Sequence, residues 1–167
     1  MNIGIIGLGS MGLNLAKNII SKKHKVYAYE QNSTIKKNLK KNNIQNLFLT
    51  KSLSELINKV NSPRIIMLSL PADKVDEVIN ELTNFLEPED IIADLGNSLY
   101  LKSIERDNLL KIHNINFLGV GVSGGPRGAK NGPAIMAGGS KEAWNKTKHI
   151  FEDIAAKNDK QKACSFF

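Results

Sequence analysis

Short apolar runs alternate along this chain with segments in which apolar residues recur every three or four positions. The runs predict strands at residues 2–7, 25–29, 47–49, 64–68, 91–94, 116–121 and 134–137. The periodic segments predict helices at 11–22, 33–41, 75–86, 99–111 and 143–154, and Ser52 to Glu55 forms a capping box that begins another helix. Because strands and helices alternate, we expect right-handed crossovers and a mostly parallel, doubly wound α/β sheet in a single domain over residues 1–167.

The size and composition of the chain fit one globular domain. Of its 167 residues, 41% are hydrophobic and 23% charged, which is enough for one hydrophobic core and too little for two full domains. No apolar stretch reaches the roughly 18 residues that cross a bilayer, and the first residues predict a strand, not a signal peptide. Cys164 is the only cysteine, so we expect no internal disulfide and a reducing, cytoplasmic compartment. The apolar end, Ser165-Phe166-Phe167, is typical of a chain cut before its next element.

The net charge of +7 raises the question of an anionic partner. The lysines are scattered and are not interleaved with aromatic residues, which disfavours nucleic-acid binding. Attraction of a phosphorylated small molecule is compatible with this charge. His24, His113 and His149 stand apart beside lysines and predict surface positions, and no spacing of His, Cys and carboxylates predicts a metal site.

A glycine loop follows the first predicted strand and begins the first predicted helix: Gly7-Leu8-Gly9-Ser10-Met11-Gly12. In this context the spacing is the fingerprint of a dinucleotide site. The first glycine permits the tight turn, the second lets the backbone approach a pyrophosphate, and the third allows the helix to pack closely on the strand. The free N–H groups of the helix N-terminus favour phosphates. A glycine-rich turn without a ligand is the alternative.

Glu30 comes at the end of the second predicted strand, 18 residues after Gly12. An acidic side chain there accepts hydrogen bonds from the adenosine ribose and repels a 2′-phosphate, which favours NAD over NADP. Lys36 and Lys37 lie close in sequence and are able to meet a 2′-phosphate. An exposed glutamate at a strand end is the other interpretation.

The segment Asp94-Leu95-Gly96-Asn97-Ser98 directly follows a predicted strand. Open parallel sheets bind ligands at the carboxyl ends of their strands, so the Asn97 amide is a candidate to bind a substrate or a nicotinamide. On local sequence alone, an ordinary turn with Ser98 as the cap of the next helix is the stronger interpretation.

Five glycines lie within residues 119–128, a segment that reads GVGVSGGPRG. A backbone so free of side chains is able to press on a ligand, and Ser123 adds a hydroxyl. A flexible connection is the alternative, but such a tract is costly to order, which favours a functional loop.

These loops, in this order, resemble the N-terminal cofactor domain of the 6-phosphogluconate dehydrogenase family over essentially the whole chain. The matching stretches are residues 7–15, 91–98, 121–125 and 132–139. The Gly-Val-Ser-Gly-Gly stretch followed by Gly-Pro-x-x-Met-x-Gly-Gly separates that family from most other Rossmann-type proteins.

The resemblance implies oxidative decarboxylation of 6-phosphogluconate, a small phosphorylated sugar acid, to ribulose 5-phosphate in the pentose phosphate pathway, with hydride passed to NAD or NADP. It implies a homodimer formed through a helical second domain. It also implies a set of cofactor-binding residues: Gly7, Leu8, Gly9, Ser10, Met11, Gly12, Glu30, Gln31, Asn32, Ser69, Leu70, Pro71 and Asn97. The implied substrate-binding residues are Asn97, Ser123, Gly124 and Gly125.

Three departures from the family pattern change what is expected. The Asn-Arg-Thr that reads a 2′-phosphate in NADP-using members is Glu30-Gln31-Asn32 here, which strengthens the preference for NAD. The acidic pair after Gly-Gly is Pro126-Arg127, so the mouth of the substrate loop is more positive. The family's catalytic lysine and its helical domain correspond to positions beyond residue 167, so we assign no catalytic residue within this chain and expect it to be inactive alone.

Two other functions stay open at this point. A β-hydroxyacid dehydrogenase of the hydroxyisobutyrate type shares the glycine loop, an acidic residue near Glu30 and a Leu-Pro like Leu70-Pro71. The length of the segment between Asn97 and Ser123 favours the first family over that type. A module that binds NAD without turnover is the third interpretation.

Overall fold

A computed structural model describes residues 1–159 and 161–167 of the chain. Within these residues, eight strands form one sheet in the order β3-β2-β1-β4-β5-β6-β7-β8. The strands are β1 (Asn2–Ile6), β2 (Lys25–Tyr29), β3 (Leu47–Leu49), β4 (Ile65–Leu68), β5 (Ile91–Asp94), β6 (Asn116–Ser123), β7 (Ala134–Gly139) and β8 (Cys164–Phe166). Neighbouring strands are parallel except for β6 and β7, which are antiparallel. The predicted doubly wound α/β fold is confirmed.

Helices cover both faces of this sheet. They are α1 (Ser10–Ser21), α2 (Ser33–Asn42), α3 (Leu53–Lys59), α4 (Ala72–Leu82), α5 (Tyr100–Ile112), α6 (Gly125–Asn131) and α7 (Lys141–Ile154). One apolar core joins the sheet to α1, α2, α6 and α7, and a second joins its other face to α3, α4 and α5. Because β4 is buried on both faces, its sequence is the continuous apolar run IIML. None of the helices in the described part of the chain has the length and apolarity to cross a membrane.

The glycine tract of residues 119–128 departs from the prediction. We expected a loop after Gly121, but β6 continues to Ser123 and α6 begins at Gly125. The buried Asn18 of α1 anchors α6, because its amide donates to the Ala129 carbonyl at 3.0 Å and to the Ile154 carbonyl at 2.9 Å. These long-range bonds order a segment that local sequence describes as unstructured.

The C-terminal residues form a strand that was not among the predicted elements. Cys164–Phe166 is β8, which pairs in parallel with β7. The Phe166 ring stacks on Trp144 of α7 with 5.4 Å between ring centroids. The serine half of the predicted capping box forms, since the Ser52 hydroxyl accepts the Glu55 N–H at 3.1 Å, whereas Glu55 Oε2 accepts the N–H of Lys51, the residue before the cap, at 2.7 Å.

Candidate dinucleotide-binding site

Four neighbouring parallel strands, β2, β1, β4 and β5, end at the same edge of the sheet. The chain winds one way from β1 to β2 and the other way from β4 to β5, so the strand order reverses between β1 and β4. Such a reversal opens the crevice in which doubly wound sheets bind ligands. Backbone hydrogen bonds of 2.9 Å join the loops at this edge, from Gly7 N–H to the Tyr29 carbonyl and from Ser69 N–H to the Ile6 carbonyl.

The three glycines of the loop after β1 have different surroundings. A side chain at Gly7 would overlap the Ser69 carbonyl oxygen, and Gly7 has a φ of +91°. A side chain at Gly12 would overlap the Gly7 carbonyl oxygen. At Gly9 the φ is −61°, and a Cβ would meet no atom within 4 Å. The protein leaves open space in front of Gly9, where a Rossmann-type loop holds a pyrophosphate.

Glu30 is buried, with 9% of its surface exposed, so the interpretation of an exposed strand-end glutamate is wrong. Its Oε2 accepts the Leu8 N–H at 2.6 Å, and its Oε1 accepts the Asn32 N–H at 2.8 Å. The carboxylate therefore holds the loop after β1 against the turn after β2. It retains capacity for further donors, because an ionised carboxylate has about four acceptor sites.

A groove of about 460 Å³ lies at the switch between β1 and β4. Six of the predicted cofactor residues line it: Gly7, Glu30, Gln31, Asn32, Leu70 and Pro71. The Asn32 side chain is engaged by the protein, since its Oδ1 caps α2 by accepting the N–H groups of Thr34 and Ile35. Sequence analysis did not identify the five other lining residues, Ile6, Tyr29, Lys74, Glu77 and Val78. Lys74, Glu77 and Val78 lie on α4. The sequence feature that could have identified them is their position on the helix that directly follows Leu70-Pro71.

The remaining predicted cofactor residues, apart from Asn97, belong to the loops after β1 and β4 that border this groove. Leu8, Gly9 and Ser10 line an adjoining cavity of about 360 Å³. Met11 packs its side chain against the apolar core. The Ser69 side chain faces the position that a Cβ on Gly12 would occupy, 3.0 Å from its Oγ.

Asn97 is exposed in the loop after β5 and lines a separate cavity of about 400 Å³ with glycines of β6 and β7. Ser98 does not cap the next helix, which was the stronger expectation from local sequence. The N-cap position of α5 is Leu99, without a side-chain bond, and the Ser98 hydroxyl donates to Asp94 Oδ2 at 2.8 Å. The buried Arg106 of α5 joins this pair, and sequence analysis missed it. Its position in the sequence could have identified it, because Arg106 falls between Ser103 and Leu110 on the inward face of α5.

The predicted substrate residues at the end of β6 stand apart from both of these cavities. Ser123, Gly124 and Gly125 are exposed and line neither the groove beside Glu30 nor the cavity beside Asn97. Gly124 has a φ of +126° and Gly125 a φ of +59°, so the backbone turns from the strand into α6 at these two residues. Among the described residues, no group of His, Cys, Asp and Glu side chains is arranged to hold a metal ion.

Comparison with known proteins agrees with this geometry. Residues 2–165 match the family model of the NAD binding domain of 6-phosphogluconate dehydrogenase. A decarboxylating 6-phosphogluconate dehydrogenase of Chlamydia pneumoniae is 43% identical over 168 aligned positions, which cover 99% of this chain and 35% of that protein. The corresponding enzyme of Candida albicans is 40% identical over 99% of this chain and 32% of its own length. The chain thus spans about a third of these relatives.

Solved structures give the same result. The 6-phosphogluconate dehydrogenase of Plasmodium falciparum, studied in apo form and with NADP+ or 6-phosphogluconate, superposes with a TM-score of 0.93 at 35% identity, over 99% of this chain and 36% of that one. A 3-hydroxyisobutyrate dehydrogenase of Mycobacterium tuberculosis gives a TM-score of 0.82 at 20% identity, over 99% of this chain and 53% of its own, and so shares the fold. The chain belongs to the 6-phosphogluconate dehydrogenase family and matches its NAD-binding domain.

Proposed function

We propose that this chain is the cofactor-binding part of an enzyme that oxidises and decarboxylates 6-phosphogluconate, and that it binds NAD in preference to NADP. The observation that carries the proposal is the groove at the strand switch, lined by Gly7, Glu30 and Leu70. The open space in front of Gly9 is the cradle that a pyrophosphate requires. Bound there, the nicotinamide supplies the hydride acceptor of the reaction.

The protein's own groups divide the work of holding the dinucleotide. The N–H groups at the start of α1 face the pyrophosphate, since no side chain caps that helix. Glu30 accepts hydrogen bonds from the adenosine ribose, and its charge disfavours a 2′-phosphate. Lys74 lines the same groove and supplies a positive charge for the phosphates of the dinucleotide. Its Nζ also forms an exposed ion pair with Glu77 at 3.5 Å.

The assignment of the substrate-binding residues is carried over from the 6-phosphogluconate dehydrogenase family. Asn97, Ser123, Gly124 and Gly125 bind the sugar acid in this proposal, and the exposed Arg127 adds positive charge at the mouth of that loop. No residue of this chain is assigned as the catalytic base, because the family's lysine corresponds to a position beyond residue 167. A homodimer formed through the helical domain, and a cytoplasmic location, belong to the same proposal.

The decisive experiment is a fluorescence titration of the 167-residue chain with NADH and with NADPH. NADH should bind more tightly by on the order of tenfold, which corresponds to about 1.4 kcal/mol of charge repulsion. Glu30→Gln should bring the two dissociation constants together. Glu77→Gln is the matched control, because it removes an exposed carboxylate from the same groove. Equal binding of both nucleotides to the native chain would show that Glu30 does not face the ribose.

A second measurement tests the division of labour between this chain and the rest of the enzyme. Mixed with NAD and 6-phosphogluconate, the chain should produce no NADH, because a general base is worth roughly 10²–10⁴ in rate and none is assigned here. Steady turnover at a rate near that of a complete family member would contradict the proposal. Nucleotide binding without turnover in a complete protein would favour a non-catalytic NAD-binding module.

A further inference from the structure

A buried arginine lies directly behind the loop that carries Asn97. The Arg106 side chain is 4% exposed and that of Asp94 is 1% exposed, and Arg106 Nη1 donates to Asp94 Oδ2 at 2.8 Å. The same Nη1 donates to the Ser98 hydroxyl at 2.7 Å, and Ser98 in turn donates to Asp94 Oδ2. Asp94 Oδ1 accepts the Gly96 N–H at 2.9 Å. Gly96 and Ser98, the residues on either side of Asn97, are therefore both held by this cluster.

The other nitrogens of the Arg106 guanidinium bond α4, the helix that follows the neighbouring strand β4. Arg106 Nε donates to Asp76 Oδ1 at 2.6 Å, and Nη2 donates to the Ala72 carbonyl at 3.4 Å. Ala72 begins α4 directly after Leu70 and Pro71. The two loops also contact each other, because a Cβ on Gly96 would lie 3.1 Å from the Leu70 carbonyl oxygen. One side chain thus fixes the loops after β4 and β5 together.

Stability alone does not account for this arrangement. A buried ion pair returns little net stability, because the desolvation of both charges offsets their attraction. What a guanidinium supplies is fixed geometry, since its donors form a rigid planar fork. Here three nitrogens of that fork are used on four acceptors from α4, β5 and the loop that follows it.

We propose that Arg106 and Ser98 are positioning residues, which hold the Asn97 amide for the nicotinamide half of the dinucleotide. This inference rests on the proposed function. Glu30 follows β2 and Asn97 follows β5, three strand spacings or about 14 Å away across the switch. A dinucleotide whose adenosine lies at Glu30 therefore extends its other half toward Asn97.

The test uses Ser98→Ala and two ligands that differ only in the nicotinamide. Removal of Arg106 would leave Asp94 buried and unpaired, which threatens folding, so the serine is the better variant. Ser98→Ala should weaken NADH binding by roughly three- to tenfold, the effect of one hydrogen bond, and should leave ADP-ribose binding unchanged. Ser140→Ala is the control for lost stability, because that hydroxyl bonds Asn116 at the amino end of β6.

A double-mutant cycle separates positioning from a general structural effect. If Ser98 acts through Asn97, Ser98→Ala should weaken NADH binding no further in a chain that already carries Asn97→Ala. Three outcomes would overturn the positioning role while the proposed function stands. In the first, the losses of NADH affinity caused by Ser98→Ala and Asn97→Ala multiply in the double variant. In the others, Asn97→Ala leaves NADH affinity unchanged, or Ser98→Ala weakens NADH and ADP-ribose binding equally. Failure of the native chain to bind either ligand would overturn both proposals.

Discussion

At the scale of single residues, the three glycines of the loop after β1 are required for different reasons. Gly7 and Gly12 are required by the protein itself, because side chains there would overlap backbone carbonyl oxygens. Gly9 has an ordinary φ of −61°, occupies the N-cap position of α1 and faces open space. The fold alone would accept a serine at Gly9, and the proposed pyrophosphate accounts for the bare backbone there.

Gly9→Ser is expected to separate ligand binding from stability. Serine is a favoured N-cap residue, so the melting temperature of the variant should be unchanged or higher. NADH binding should weaken by at least about tenfold, because the side chain fills the pyrophosphate cradle. Gly12→Ala is the comparison and should cost about 1–3 kcal/mol through overpacking. If Gly9→Ser binds NADH normally, the cradle lies elsewhere.

Gly124 and Gly125 are also expected to differ. Gly124 has a φ of +126°, and a Cβ there would lie 3.0 Å from Gly128 Cα, whereas Gly125 has a φ of +59° and open surroundings. Gly124→Ala should therefore lower the melting temperature more than Gly125→Ala, which costs about 1–2 kcal/mol for its left-handed backbone. NADH binding should be the same in both variants. Equal melting temperatures would mean that this strain is relieved locally.

At the scale of elements, the last helix depends on one cap. The Ser140 hydroxyl accepts the Ala143 N–H at 3.2 Å and donates to Asn116 Oδ1 at 2.7 Å. It therefore fixes the start of α7 to the start of β6. The helix then buries Ile150, Phe151 and Ile154 against the sheet.

Ser140→Ala is expected to destabilise the protein by about 0.5–2 kcal/mol, with a fall in melting temperature of about 2–4 °C for each kcal/mol. Ser140→Asp should lose less, because aspartate also caps helices. Thermal denaturation of the three proteins measures this, and equal losses in both variants would assign the effect to Asn116 and not to the cap.

At the scale of the whole molecule, His24 links the turn before β2 to the N-terminus, whose amine lies 3.4 Å from its Nδ1. Burial, the positive N-terminal amine and His149 lower the pKa of His24, against an opposing effect of Asp153. The unfolded chain has the ordinary histidine pKa of about 6.5 and so binds this proton more readily than the folded chain. The stability that the neutral imidazole contributes is present above that pH and is lost as the pH falls through the lower folded pKa.

The free energy of unfolding is therefore expected to fall between about pH 7 and pH 5 more steeply in the native chain than in His24→Asn. Denaturant titrations across this pH range measure the difference. His113→Asn is the control, because His113 is exposed at the end of α5. Parallel pH profiles in the native chain and His24→Asn would contradict the account.

Sequence by itself determined the features that arise from short-range pattern. The bounds of β2, β3 and β5 agree with the predicted ranges, and β5 is buried along its whole length, as is typical of a strand covered on both faces. The glycine loop and Glu30 were identified because their spacing is fixed by one βαβ unit. Gly7, Tyr29 and Glu30 from these elements line one side of the groove, and residues of the loop after β4 and of α4 line the other.

Only the tertiary structure decided what depends on partners distant in sequence. The α6 helix forms because Asn18 holds it across 111 residues, and β8 forms because β7 offers an edge. Ser98 bonds Arg106 and Asp94 and caps no helix. From the local sequence, the glycine tract is expected to form a loop and Ser98 to cap a helix. Long-range hydrogen bonds and burial override that role, because they satisfy polar groups that neighbouring residues along the chain do not reach.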